Sequence, residues 1–353
     1  MPDRRSDSTN YTRVVHVHPR QWTSVSDHGL RVHFVWIGAR FPYHARLAIE
    51  SAIVAMPEAR IDLDVIGEAP TSDHFRTVAR YDHVTVRRWT PRSMFERCPL
   101  GPAPYERLLT RLPNDAPAAV SNLARLAILY AEGGVYLDTD VIVIRGLHRP
   151  SVHGSYVGVE RVWSANRRRI EHGLGPADVA RTIPWALRWA ACRVDSAVWH
   201  GRLRLADRLA DRAHTRDQVN NAVIGAPKEA PFLAFALAQA LEADPGVRFA
   251  LGPNLLDDVV RAEPRLAWVA PASRFYAVPP GQSHRCFFDR TLRLPVDAQV
   301  MHYVASNHRR LLAGLDIDDP RFARDAAPFW RHGDRVRTTI PTIEPLKRLW
   351  STA

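Results

Sequence analysis

Short, nearly unbroken apolar runs alternate with amphipathic stretches along the first half of the chain. Residues 32–37 form such a run, closed by Gly38, and predict a buried parallel strand. A helix is expected over 43–55, a strand over 61–66, a further segment over 75–81 and another strand over 84–89. Strands alternating with helical patterns predict a βαβ sheet of the nucleotide-binding type. The stretch 92–117 is rich in Pro and Gly and reads as a long loop.

The strongest pattern lies in 118–145, AAVSNLARLAILYAEGGVYLDTDVIVIR. Val120, Leu123, Leu126, Ala127 and Tyr130 recur at helical spacing, so 118–132 is an amphipathic helix. Gly133 and Gly134 stop it, as glycine does where the chain must turn left-handed. The residues 135–137 then enter a strand, and 141–144 carry the apolar character onward.

Asp138 and Asp140 interrupt that apolar run. Residues two apart in an extended chain share a face, so the two carboxylates project to one place. Such a pair is costly to desolvate unless a cation sits between them. A hard divalent ion, Mg²⁺ or Mn²⁺, suits oxygen ligands and substrate phosphates. On the preceding helix Arg125 shares a face with Ser121 and Asn122. A planar, permanently charged donor there suits a phosphate or sugar hydroxyls.

The segment SNLARLAILYAEGGVYLDTDV resembles the core signature of the DXD-containing sugar-binding glycosyltransferases, the group of the yeast initiating mannosyltransferase and capsular-polysaccharide enzymes. It is also similar to the glucosyltransferase domain of the clostridial toxins. Ser121, Arg125, Gly133, Gly134, Tyr136, Asp138 and Asp140 carry the resemblance; Asn122 stands where aspartate is commoner. The resemblance implies an α/β fold of the GT-A type, a single nucleotide-binding domain with a mixed, mostly parallel sheet and a helical insertion. It further implies a nucleotide-sugar donor, UDP- or GDP-linked, with Asp140 and Asp138 on Mn²⁺ or Mg²⁺. Arg125 and Asn122 would hold the sugar, and Trp36, ending the first strand, would pack on the donor's base. Ser121 and Tyr136 fall to the donor site on the same ground.

Three later patches extend the resemblance. The stretch DQVNNAVIGAP (217–227) resembles an element that brings amides, here Asn220 and Asn221, to the donor sugar. The stretch LGPNL (251–255) resembles a Gly-Pro turn before a helix. The stretch QVMHY (299–303), with Ser306, resembles a C-terminal strand bearing a histidine and then a Ser-Trp pair, with Asn307 in the tryptophan's place. His302, at an apolar strand end, is a candidate for a metal ligand or phosphate contact. Between these patches, 161–209 combines arginines with Trp163, Trp185, Trp189 and Trp199. Such side chains can stack on sugar rings or pack an accessory helical layer.

Composition narrows this picture little. The chain of 353 residues carries a net charge of +11, without a basic run beyond Arg167-Arg168-Arg169. The three cysteines, Cys98, Cys192 and Cys286, lack disulfide or zinc spacing and fit a reducing cytoplasm. No run has the length of a membrane span, and neither a membrane nor a nucleic-acid partner is expected. The expected organisation is a mobile tail over 1–29, one catalytic domain over 30–310 with an acceptor-side helical insertion near 160–215, and a peripheral segment over 311–353. The expected activity is metal-dependent, retaining transfer of a sugar to a hydroxyl or amine of a small molecule or glycan. Two alternatives remain: a haloacid-dehalogenase-type phosphatase with Asp138 as nucleophile, and a basic nucleic-acid-binding protein.

Overall fold

The computed structural model describes residues 29–113, 116–150, 154–163, 176–209 and 215–350; the expected tail lies almost wholly outside them. Seven strands form one sheet in the order β3-β2-β1-β4-β7-β6-β8. They are β1 (Arg31–Ile37), β2 (Arg60–Ile66), β3 (Val84–Trp89), β4 (Gly134–Leu137), β6 (Ser155–Trp163), β7 (Thr215–Ala226) and β8 (Ala267–Ala270). β1, β2, β3 and β4 pair in parallel, and β6 with β8; β7 alone runs against both its neighbours. The result is the mixed, mostly parallel sheet expected of a GT-A-type α/β fold.

Each face of the sheet buries its own core. On one side Val32, Phe34, Ile61 and Leu63 pack with the helix Tyr43–Ala55. On the other, Val35, Tyr136, Val157 and Ile224 meet the helices Pro117–Glu132, Pro231–Glu242 and Pro253–Ala262. This is why the central strands β1 and β4 read as nearly continuous apolar runs rather than alternations.

Two expectations need correction. The stretch 92–117 is not a loop but holds the helices Pro91–Phe95 and Pro102–Thr110. Pro91, Pro102 and Pro117 stand in first turns, where the missing N–H costs nothing. Thr90 and Ser93 form a capping box, and Phe95 stacks on Tyr105 with ring centroids 4.8 Å apart. Residues beyond 311, expected at the periphery, help complete the first core. Phe322, Phe329, Trp330 and Val336 are buried, and the helix Pro328–Trp350 lies against Tyr43–Ala55. The Trp330 indole donates to the Phe287 carbonyl at 2.8 Å, which satisfies its one polar atom in the core.

A small second sheet positions the chemistry. β5 (Val141–Val143) pairs antiparallel with β9 (Val300–His302), and the register sets Val141 opposite His302. Residues distant in sequence thereby flank Asp140.

Candidate active site

Asp138 leaves β4 at the carboxyl edge of the sheet, where open α/β sheets bind ligands. Its backbone N–H donates to the Ala222 carbonyl of β7 at 2.9 Å, so the turn is pinned to the reversed strand. Two groups converge on its side chain. The Tyr136 hydroxyl donates to Oδ1 at 2.5 Å, and Arg125 Nη1 approaches the same oxygen to 3.0 Å. The Arg125 guanidinium also lies 4.5 Å from the Tyr136 ring centroid and donates to the Asn221 carbonyl at 2.7 Å. Tyr136, expected in the donor site, is only 1% exposed and does not line the cleft; its hydroxyl is spent on Asp138.

Asp140 is held from the β9 side. Its Oδ2 accepts from the Ala305 N–H at 2.9 Å, and its carbonyl from the Tyr303 N–H at 3.2 Å. Its Oδ1 lies 3.3 Å from His302 Nε2, yet is buried and receives no well-aligned hydrogen bond. Burial disfavours the ionised Asp140, but His302 and the Ala305 N–H outweigh it and hold the carboxyl at about 2. For His302, burial disfavours the imidazolium, whereas Asp140 and the carboxylates beyond lift it to about 9. Burial raises Asp138 above the usual carboxylate range, against the pull of Arg125. The pair thus attracts positive charge strongly.

One ligand atom from each of Asp138, Asp140 and His302 can be chosen so that all lie within 4.8 Å of one another. Two carboxylates and an imidazole, with a buried oxygen lacking a donor, fit a divalent cation such as Mn²⁺ or Mg²⁺.

This cluster opens into a cleft of about 1430 Å³. Ser121, Asn122, Asn220, Asn221 and Ser306 all line it. Asn221 Nδ2 donates to Asn122 Oδ1 at 2.8 Å, linking β7 to the helix Pro117–Glu132. Gly252 permits this junction: a β-carbon there would meet Asn122 Nδ2 at 2.6 Å. Trp163 and Trp189 also reach the cleft, Trp199 is exposed elsewhere, and the Trp185 side chain lies outside the described residues. Trp36 is not brought to the cleft. Its indole donates to the Gly38 carbonyl at 3.0 Å, and its ring packs edge-on against Phe41.

Three cleft residues escape the sequence reading. Gln218 and Asn254 sit in stretches already singled out, and their side chains join at 2.8 Å. Glu160 is a carboxylate within an apolar strand, the same signal that exposes Asp138. It is 6% exposed; burial raises its carboxyl above the usual range, opposed by His302 and by a hydrogen bond with Asn220.

A family model described as "Glycosyltransferase sugar-binding region containing DXD motif" matches residues 96–158. The match marks this stretch, which holds the helix Pro117–Glu132 and the Asp138–Asp140 turn, as the sugar-binding region of a glycosyltransferase. No curated protein matches it. Among solved structures, this chain is similar to the PaToxG glycosyltransferase, at 16% identity over 67% of this chain and 70% of that one, with a TM-score of 0.39. It is also similar to an active-site mutant of LgtC, at 15% identity over 89% and 95% of the two chains, TM-score 0.39. The bifunctional WbbM enzyme aligns at 13% identity over 91% of this chain and 52% of that one, TM-score 0.42.

Neither alternative agrees with the geometry as well. A phosphatase would need Asp138 free to attack, whereas Tyr136 and Arg125 immobilise its Oδ1. A nucleic-acid binder leaves the Asp138, Asp140 and His302 cluster without a purpose. No helix among the described residues is long and apolar enough to cross a membrane.

Proposed function

We propose that the protein is a metal-dependent, retaining glycosyltransferase. It moves a sugar from a UDP- or GDP-linked donor to a hydroxyl or amine of a small molecule or glycan, in the cytoplasm. The observation that carries this reading is the convergence of Asp138, Asp140 and His302 in the wall of a large cleft. These three residues would hold Mn²⁺ or Mg²⁺. Such an ion supplies charge neutralisation for the diphosphate as the sugar–phosphate bond breaks.

The chain's own residues do the rest. Arg125 and Tyr136 fix Asp138, and the small sheet fixes Asp140 beside His302. Ser121, Asn122, Asn220 and Asn221 offer hydroxyl and amide groups suited to sugar hydroxyls. Ser306, on the turn after β9, lines the same cleft and would offer its hydroxyl to a donor phosphate or sugar. Holding donor and acceptor in one cleft supplies the orientation that a dissociative transfer needs. The retaining outcome rests on the motif's resemblance. The free cysteines Cys98, Cys192 and Cys286 agree with a reducing compartment.

The test combines turnover with metal binding. Wild type should release nucleoside diphosphate from a nucleotide sugar when Mn²⁺ or Mg²⁺ is present, and cease in excess chelator. Asp140→Asn should keep the fold, since an amide oxygen can still accept from Ala305, but lose Mn²⁺ binding and turnover together. Full activity in chelator, or undiminished Mn²⁺ affinity in that variant, would remove the metal from the proposal.

A further inference from the structure

Among the described residues, the cleft wall carries three carboxylates: Asp138, Asp140 and Glu160. The first two belong to the candidate metal cluster, and Glu160 does not. It projects from β6 opposite Gln218 of β7, two positions beyond Gly158, which faces Asn220. At 6% exposure it is held in the floor of the cleft rather than on its rim.

Its surroundings set its orientation. Asn220 Oδ1 accepts from the Ala222 N–H at 2.7 Å, so the other end of that amide, its NH₂, is what faces Glu160. The Glu160 carboxyl accepts from this NH₂. A carboxylate has two oxygens and about four acceptor positions, and one amide donor satisfies only part of that capacity. Nearby, Asn254 Nδ2 is buried without an acceptor, while its Oδ1 takes the Gln218 amide. The floor therefore presents an acceptor at Glu160 and a donor at Asn254. Burying such groups without partners is costly, so the arrangement calls for a ligand bearing hydroxyls.

We infer that Glu160 is a specificity-determining residue that contacts the transferred sugar, accepting from one of its hydroxyls. This rests on the glycosyltransferase reading above and deepens it. Glu160 is fixed by Asn220 in the cleft floor, a setting for reading hydroxyls rather than for attack on the sugar carbon. Asn254 donates to the same sugar or to its neighbour in the acceptor.

The experiment pairs Glu160→Gln and Glu160→Ala with deoxy analogues of the donor that wild type uses best. In wild type, removing the hydroxyl that Glu160 reads should lower kcat/KM about 10- to 100-fold, the range for hydrogen bonds to charged groups. In both variants that penalty should collapse toward onefold, while penalties for the other deoxy positions stay as they were. Mn²⁺ affinity should be unchanged, which separates this role from metal binding. Far-UV circular dichroism and melting temperature report folding; should either variant fail to fold, Glu160→Asp, which shortens the carboxylate's reach, must still shrink the same penalty. Equal penalties at every hydroxyl in wild type and folded variants would overturn the inference and leave the glycosyltransferase reading standing. Azide rescue of Glu160→Ala with formation of a glycosyl azide would also overturn it, by making Glu160 a nucleophile. If folded, Mn²⁺-loaded wild type consumes no nucleotide sugar, the underlying reading fails and takes this assignment with it.

Discussion

Arg125 Nη1 lies 3.0 Å from Asp138 Oδ1 while donating to the Asn221 carbonyl oxygen at 2.7 Å. One guanidinium thus joins the helix Pro117–Glu132, the end of β4 and the middle of β7. Its Nη2 reaches Ser121 Oγ at 3.3 Å, and the residue is 5% exposed. Removing one member of a buried ion pair leaves the other charge uncompensated. Arg125→Ala should therefore cost about 3–5 kcal/mol in denaturant unfolding. Arg125→Lys should recover only part of it, because one ammonium cannot span all three elements. A loss below about 1 kcal/mol in the alanine variant, the scale of a surface pair, would contradict the pinning role.

Gly134 opens β4 with φ +114°, and a β-carbon there would sit 2.5 Å from the Arg31 carbonyl oxygen of β1. Gly38 has a similar φ of +116°, with nothing within 4 Å of such a β-carbon. Gly38→Ala should bear backbone strain alone, on the order of 1–2 kcal/mol. Gly134→Ala should lose clearly more, since strain is joined by a clash with backbone in the sheet centre. Equilibrium unfolding of both variants checks the ordering; equal losses would place β1 and β4 farther apart than the structure has them.

His284, which lines the cleft, and His308, whose Nε2 lies 2.9 Å from Ser283 Oγ, give the fold an acid limit. Burial, followed for each by the nearby Arg193 charge, lowers both to about 4. The unfolded chain takes up these protons near 6.5, the folded chain only near 4. Their contribution to stability is complete above pH 6.5, falls between 6.5 and 4, and levels off below. Roughly 3 kcal/mol per group is at stake across that window. His302 is raised and titrates the other way: its contribution is full below 6.5 and lost as pH rises through about 9. Unfolding free energy measured from pH 7.5 to 4 should fall in wild type and fall less in His308→Gln. A parallel decline in both would exclude His308 as a source.

β1 and β4 were legible because burial leaves near-continuous apolar runs there that need no partner to be recognised, whereas β2 and β3 carry charged residues and were read from their spaced apolar positions. All three members of the metal cluster were candidates in the sequence, Asp138 and Asp140 by interrupting such a run and His302 by ending an apolar strand, but only the β5–β9 register shows that His302 stands beside Asp140. Prolines 91, 102 and 117 misled, since a first-turn proline and a helix breaker are the same letter until a cap is seen. The burial of Phe322, Phe329 and Trp330 was hidden because their partners, Phe287, Tyr303 and Leu47 among them, are remote in sequence. Trp36 shows the converse: a residue whose neighbours in the motif resemble a donor site, but whose ring the fold turns onto Phe41.

Asn122 carries the last prediction. Its Oδ1 accepts from Asn221 Nδ2 at 2.8 Å, and its Nδ2 faces Gly252 across the junction of helix and β7. An aspartate would still accept from Asn221, so the junction and the fold should survive. The replaced Nδ2 position would become an acceptor, and a negative charge would enter within one helical turn of Arg125. Arg125 would then divide its attraction between residue 122 and Asp138, and a sugar hydroxyl that accepts from the native amide would lose that donor. Asn122→Asp should therefore melt within a few degrees of wild type but change the ratio of kcat/KM between donor sugars by about 10-fold or more. Comparing a panel of nucleotide sugars in the two proteins measures that ratio. An unchanged ratio across the panel would remove Asn122 from the donor site and leave it a purely structural link between helix and strand.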